Sequence, residues 1–334
     1  MNILCPITSA ADIAPLSIYG AEFFCGYLPP WWVEKYSDNA DFEQFGCPAV
    51  PLNNRNVLSS NVTDYEELKA VVAQADIHQC TLFLTLNAKY YPEYLYEDLH
   101  RYVGELAQAG VKKLIVSDVG TIAFLNTHFP QMAVSISCLS QVTNTEAVAF
   151  YLQFPNVERI VLPRHMATAE IKTMALAFPH IEFEYFIFSN KCLYDDGYCR
   201  SIHAFTPICK DRFSSGFYAA EGALLPQSKE ETLHQQEALY RKWTQDEPKE
   251  LGYCTPSFCC TACSLLSLCD VENITAVKLS IRGHDLQERL HQTRMARAAI
   301  EAAQAGDGVV LQQVVSALYG KEMLCKNGFS CMMK

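Results

Sequence analysis

"TLFLTLNAKYYPEYLYEDLHRYVGELAQAGVKKLIVSD", residues 81–118, decides how the chain folds. TLFLTLNA is an apolar run of strand length, short for a helix. YLYEDLHRYVGELAQAG then spaces its apolar residues by three and four and stops at Gly110, a residue suited to a helix end. KLIVSD is a second short apolar run. Strand, helix and strand within about forty residues make a βαβ unit, whose two strands run parallel.

The same rhythm extends in both directions. NILCPI and AEFFCGYL flank the helix-like SAADIAPLSIYG, which ends at Gly20. Thr63 with Glu66 reads as a capping box opening TDYEELKAVVAQADIHQ. After KLIVSD come a helix to Phe129, the strand AVSISCL, a helix from about Thr143, the strand ERIVLP, a helix from Thr168, and the strand IEFEYFIF. AVKLSI, ahead of the long helix DLQERLHQTRMARAAIEAAQAG, completes eight strands. Eight βα units favour a closed α/β barrel, (β/α)8 and TIM-barrel-like, over an open doubly wound sheet. No Gly-rich phosphate loop follows the first strand, as the open form would lead one to expect. Residues 1–290 are read as the barrel, 189–274 as a cysteine-rich insertion over its mouth before the last strand, and 291–334 as C-terminal helices with a Cys-containing tail. Within the insertion, SKEETLHQQEALYRKW has helical character.

Half of the 334 residues are hydrophobic and 19% are charged, enough for a sizeable core. No apolar run reaches membrane-spanning length, and the first residues lack the basic and apolar regions of a signal peptide, so the expectation is a cytoplasmic protein with no membrane partner. The net charge of −11 counts against a phosphate-gripping surface and favours a small-molecule or protein substrate over RNA. A homo- or heterodimer stays open. The sequence contains no P-loop, GxSxG elbow or HExxH.

Fifteen cysteines are many for a chain expected in a reducing compartment, which directs attention to metal ligation. Cys5, Cys25, Cys80 and Cys138 lie in apolar runs and read as small buried hydrophobes. FSNKCLYDDGYCR, residues 188–200, is different: Cys192 and Cys199 follow the seventh strand and so fall on the face that carries barrel active sites, with Cys209 in the same loop. YCTPSFCCTACSLLSLC supplies Cys254, Cys259, Cys260, Cys263 and Cys269. TACSLLSLCDVEN reads as a helix starting at that same face, with Cys260 and Cys263 on one side of its first turn. Four thiolates suit Zn²⁺ or an iron–sulfur cluster, and one wide pair with one tight pair suits a 4Fe–4S cluster better than zinc. Cys325 and Cys331 in the tail either add or shield a ligand or form a thiol pair without metal.

Other candidates are single residues. Arg164, at the end of the sixth strand, either holds a carboxylate or phosphate or closes the rim by a salt bridge. Glu184, inside the seventh strand, is expected to pair with Arg282 across neighbouring strands. Arg55 follows two asparagines and is expected to reach a substrate anion, and His203 either orients a ligand, moves a proton or is a structural or solvated residue. Pro30-Trp31-Trp32 is read as a packed barrel end rather than a lid.

Several segments resemble the collagenase-like peptidase family of unknown catalytic type. NNRNVLSSNVTDYEELKAVV, TLFLTLNAKYYPE, AVSISCLSQVTNTEAVAFY, ERIVLPRHMATAEIKTM and AVKLSIRGHDLQERL are similar to family segments, and EYFIFSNKCLYDDGYCR holds the family spacing from Glu184 to Cys192 and on to Cys199. LYGKEMLCKNGFSCMMK is similar to the tail of one subgroup. The resemblance implies that Cys192, Cys199, Cys209 and Cys260 ligate a 4Fe–4S cluster, with Cys263 as an alternate. Two positions depart from the family pattern: Ser189-Asn190 precede the first cysteine, and Ile281 stands where a glycine precedes Arg282. The resemblance further implies oxygen-independent hydroxylation of a small molecule or RNA. A non-catalytic iron–sulfur or zinc scaffold for a partner protein and a metal-independent peptidase are the alternatives. For the last of these the sequence offers no dedicated Cys-His or Ser-His pairing.

Overall fold

The computed structural model describes residues 1–37, 46–190 and 258–319, together with Gly197 and the helical positions Lys229, Glu231, Thr232, His234, Gln235 and Ala238; at 189–190, 258–259 and 318–319 it describes the backbone alone. The strands are β1 (Asn2–Pro6), β2 (Ala21–Cys25), β3 (Leu82–Leu86), β4 (Lys113–Val116), β5 (Ala133–Ile136), β6 (Val157–Val161), β7 (Glu182–Asn190), β8 (Phe258–Cys260) and β9 (Ile274–Ser280). The helices are α1 (Ile13–Ser17), α2 (Pro30–Tyr36), α3 (Tyr65–Ile77), α4 (Tyr96–Gln108), α5 (Val119–His128), α6 (Thr145–Tyr151), α7 (Thr168–Ala177), α8 (Leu265–Leu268), α9 (Leu286–Gln304) and α10 (Gly308–Tyr319).

Strands β1 to β7 pair in sequence order, β7 pairs with β9, and β9 pairs with β1, so eight parallel strands close into the expected (β/α)8 barrel. Strands of such a barrel are covered by helices outside and by each other inside, which is why they read as nearly unbroken apolar runs. All five residues of β2 and the last four of β1 are buried. α9 runs unbroken through residue 290 and packs on β1, and α10 packs on α9. β8 is an antiparallel addition: Phe188 pairs with Cys260 on one side and Leu279 of β9 on the other. It takes the edge of β7 left open where β6 stops at Val161.

Local chemistry sets the helix starts. The Asp118, Asn144 and Asp285 side chains accept hydrogen bonds from the amides of Thr121, Ala147 and Glu288. The expected Thr63–Glu66 box is not used. Asp64 is the cap instead, accepting from the Glu67 amide at 2.9 Å, because α3 begins one residue later. The expected helix TACSLLSLCDVEN is also shorter: Cys260 ends a strand, and only Ala262–Ser264 (a 3-10 turn) and α8 are helical. Thr261 explains the break, since its amide bonds the Ile187 carbonyl and ties the segment to β7.

The barrel interior is both apolar and charged. Leu4, Phe24, Phe83 and Ile115 form a cluster of their own. Around it, Arg159 of β6 bonds Glu22 at 2.7 Å, Glu182 at 2.6 Å and Glu184 at 3.3 Å, and Lys278 of β9 bonds Glu184 at 2.8 Å. Arg159 also lies 4.8 Å from the centre of the Phe83 ring, and Lys278 4.5 Å from that of Phe24. Glu184 therefore pairs with Arg159 and Lys278 and not with Arg282 as expected; Arg282 lies beyond the end of β9, while Glu184 is opposite Ala276 near its middle.

Candidate functional site

The C-terminal ends of the strands form the mouth, where barrel enzymes keep their chemistry. Three arginines converge there from different loops. Arg282 follows β9, Arg55 belongs to the loop between α2 and α3, and Arg164 follows β6.

The loop carrying Arg55 is fixed by its own asparagines. Buried Asn56 accepts from the Leu52 amide and donates to the Pro48 carbonyl. Asn61 donates to the carbonyls of Arg55 and Val57, and Asn53 donates to Asn61 Oδ1 at 2.9 Å. Asn53 Oδ1 in turn accepts from the Arg55 amide and from Arg282 Nη1, both at 3.0 Å. Gly26 makes room for this arrangement: a Cβ there would lie 1.9 Å from Asn61 Oδ1.

Arg282 is 8% exposed. Its second terminal nitrogen donates to Thr85 Oγ1 at 3.2 Å, and its guanidinium lies 5.2 Å from the centre of the Phe24 ring. Arg55 Nη1 donates to the Arg282 carbonyl. Gly283, with φ +92°, turns the chain beside it; a Cβ there would come 3.1 Å from Arg55 Nη1. Arg164 Nη2 donates to Ser280 Oγ at 3.3 Å, and its guanidinium stands 4.3 Å from the centre of the Phe186 ring. Burial, and then the neighbouring Arg55 charge, press the Arg282 pKa down to about 9. Burial and Arg164 lower that of Arg55 in the same way.

Of the cysteines expected to bind metal, Cys260 and Cys263 are described here with their side chains. Cys260 is buried beside the end of β7, and its Sγ accepts from the Ala262 amide at 3.3 Å; Cys263 is exposed. Cys260 thus stands two strand spacings from Leu279, on the order of 10 Å, and Leu279 is three residues ahead of Arg282. Cys192, Cys199, Cys209, Cys254, Cys325, Cys331, His203 and the Cys259 side chain lie outside the described residues. Gly197, between Cys192 and Cys199, is described, and a Cβ on it would meet Gln141 Cγ at 2.2 Å. Gln141 follows β5, so this point of the loop lies at the same mouth. Among the described residues, no group of three or more His, Cys, Asp or Glu gathers as a metal site.

The single cysteines read as small buried hydrophobes are so at three of the four positions. Cys5, Cys25 and Cys138 are buried and Cys80 is half-buried. Burial pushes the Cys5 and Cys25 thiols up to about 12, so both stay protonated at neutral pH. Trp32 is fully buried with its Nε1 on the Val50 carbonyl, and Trp31 bonds Glu105 under the Arg101 guanidinium, so this turn is a packed barrel end. Asn53 and Thr85, which hold Arg282, were not foreseen as site residues. The Asn-Asn-Arg-Asn run was the available signal, since side-chain amides in succession can bond backbone and fix a loop, and here Asn53 and Asn56 are buried doing so.

A (β/α)8 barrel with a cationic, thiol-bearing mouth is the class these features define. The chain belongs to peptidase family U32, whose sequence pattern matches residues 40–331. Among curated proteins it is similar to tRNA hydroxylation protein P of Escherichia coli, 26% identical over 49% of this chain and 35% of the relative. It is also similar to tRNA hydroxylation protein P1 of Bacillus subtilis, 28% identical over 46% of this chain and 37% of the relative. The chain thus spans little more than a third of the length of these relatives. Among solved structures, a U32 peptidase aligns with a TM-score of 0.38 and 12% identity, covering 57% of this chain and 69% of the other. A conserved Enterococcus faecalis protein of unknown function aligns with a TM-score of 0.41 and 10% identity over 92% of this chain and 66% of the other. Among the described residues no helix is long and apolar enough to cross a membrane.

Proposed function

We propose that this U32 family member is a cytoplasmic iron–sulfur protein that takes part in a hydroxylation reaction, with RNA or a small molecule as substrate. The observation that carries the reading is the buried Cys260 at the barrel mouth, its sulfur already accepting a backbone N–H bond, in a chain akin to proteins named for tRNA hydroxylation. An N–H bond of that kind stabilises a thiolate and tunes the potential of a cluster it ligates. Cys260 fits as one ligand of a 4Fe–4S cluster, with Cys192, Cys199 and Cys209 as its partners and Cys263 as the alternate. When bound, such a cluster supplies one-electron transfer. The chain's own part is to hold the thiolates at the mouth and to orient the substrate beside them. The acidic balance of −11 makes any RNA contact a matter of a local surface rather than of overall charge.

Anaerobic purification tests the reading. Iron and sulfide should be present together with a broad visible absorbance band, and Cys192→Ala and Cys260→Ala should each strip them. Zinc in place of iron, or iron unmoved by both substitutions, would overturn it. A cluster without any change in modified nucleosides or small metabolites on deleting the protein would favour the scaffold alternative. Peptide cleavage that survives chelation would favour the peptidase.

A further inference from the structure

Arg282 is a buried cation whose charge no acid balances among the described residues. Its side-chain partners are the neutral Asn53 and Thr85, and the nearest charge pressing on it is that of Arg55. Arg55 likewise bonds a carbonyl, and among the described residues no carboxylate pairs with either. The contrast within the same barrel is sharp. Arg159 has three carboxylates, Lys278 has Glu184, and Arg289 has Asp12. A guanidinium keeps its proton at neutral pH, so buried Arg282 beside half-buried Arg55, with no carboxylate among the described residues to offset them, is an electrostatic cost that folding alone does not explain.

We propose that Arg55 and Arg282, bordered by Arg164, form a binding site for a small-molecule oxyanion, a carboxylate or phosphate group, at the barrel mouth. Planar guanidiniums recognise both groups through paired N–H bonds. The asparagine loop and Thr85 hold the two forks in place before any ligand arrives, which lowers the ordering cost of binding. The buried Phe24 and Phe186 rings back the Arg282 and Arg164 guanidiniums and help to fix their planes. The depth of Arg282 favours a small ligand over a polynucleotide, whose backbone would have to enter the barrel to reach it. The proposal rests on the arginines and their partners alone, and its test does not depend on a cluster being bound.

The full chain is titrated with inorganic phosphate, with malonate and with sodium chloride at matched ionic strength, reading thermal stability and binding heat. Phosphate or malonate should stabilise the protein saturably and chloride should not; the better of the two identifies the group the site prefers. Arg282→Gln and Arg55→Gln should each weaken that binding by about tenfold or more, as expected for a lost hydrogen bond to a charged group. Should Arg282→Gln fail to fold, Arg55→Gln and Arg282→Lys carry the comparison, the lysine keeping the charge but losing the fork. No saturable stabilisation, an equal response in the variants, or protection by a single-stranded oligonucleotide alone would overturn the proposal. Iron content is read on the same samples. Iron retained with no anion binding removes this site and leaves the cluster reading standing, and anion binding without iron does the reverse.

Discussion

Glu184 and Arg282 show how much depth along the barrel changes a charge's environment. Glu184 points into the barrel between Arg159 and Lys278, where each charge is buried and paired. Removing one member leaves the others uncompensated, so Glu184→Gln should cost about 3 kcal/mol in chemical denaturation. A double-mutant cycle should find strong coupling of Glu184 with Lys278 and none with Arg282, reversing the pairing expected from sequence. The thiols of Cys5 and Cys25 offer a second test. Protonated and fully buried, they should escape maleimide labelling in the native protein and react only on unfolding, as read by mass spectrometry of the peptides.

The loop from 52 to 61 and the start of α3 depend on short polar side chains acting on backbone. Gly26→Ala would drive a methyl group into Asn61 Oδ1, and the loop would have to move, at a cost of about 1–3 kcal/mol in a thermal melt. Asp64→Ala should cost about 1 kcal/mol by removing the cap of α3, whereas Thr63→Ala should be close to neutral. The existence of these elements was legible in the sequence because apolar period and helix-ending glycines are local signals. The cap was missed by one residue because Thr63 and Asp64 are both good caps, and only the backbone direction entering α3 chooses between them. The start of the Ala262 turn was missed for a related reason: CCTACSLL has helical composition, but β7 offered its open edge to the first residues and took them as a strand.

Across the whole molecule, the barrel is closed by its ends. Arg289 of α9 bonds Asp12 at 2.8 Å and also the Pro6 carbonyl, clasping the last long helix to the first βα loop. Burial alone would raise the Asp12 carboxyl, but the Thr8 amide, Arg289 and the Ser9 amide outweigh it and hold it below the usual carboxylate range. A depressed carboxylate contributes stability that is full above its unfolded value, near pH 4, and is lost as pH falls through the lower folded value. Asp12→Asn should therefore lower stability at neutral pH and flatten this acid limb, measured by denaturant midpoints from pH 6 down to about pH 2.

Eight strands, their helices and the closed α/β architecture were readable from the residues alone, because each βα unit announces itself by local period and the number of units then demands closure. The burial of the strand cysteines and the packed tryptophan turn were readable for the same reason, being consequences of apolar surroundings in the chain. Which charges meet was decided by tertiary structure. Arg55 and Arg282 are 227 residues apart, and Arg159 and Glu22 are 137 apart. Their neighbours are set by strand register and barrel curvature, which leave no trace in the spacing of residues along one strand.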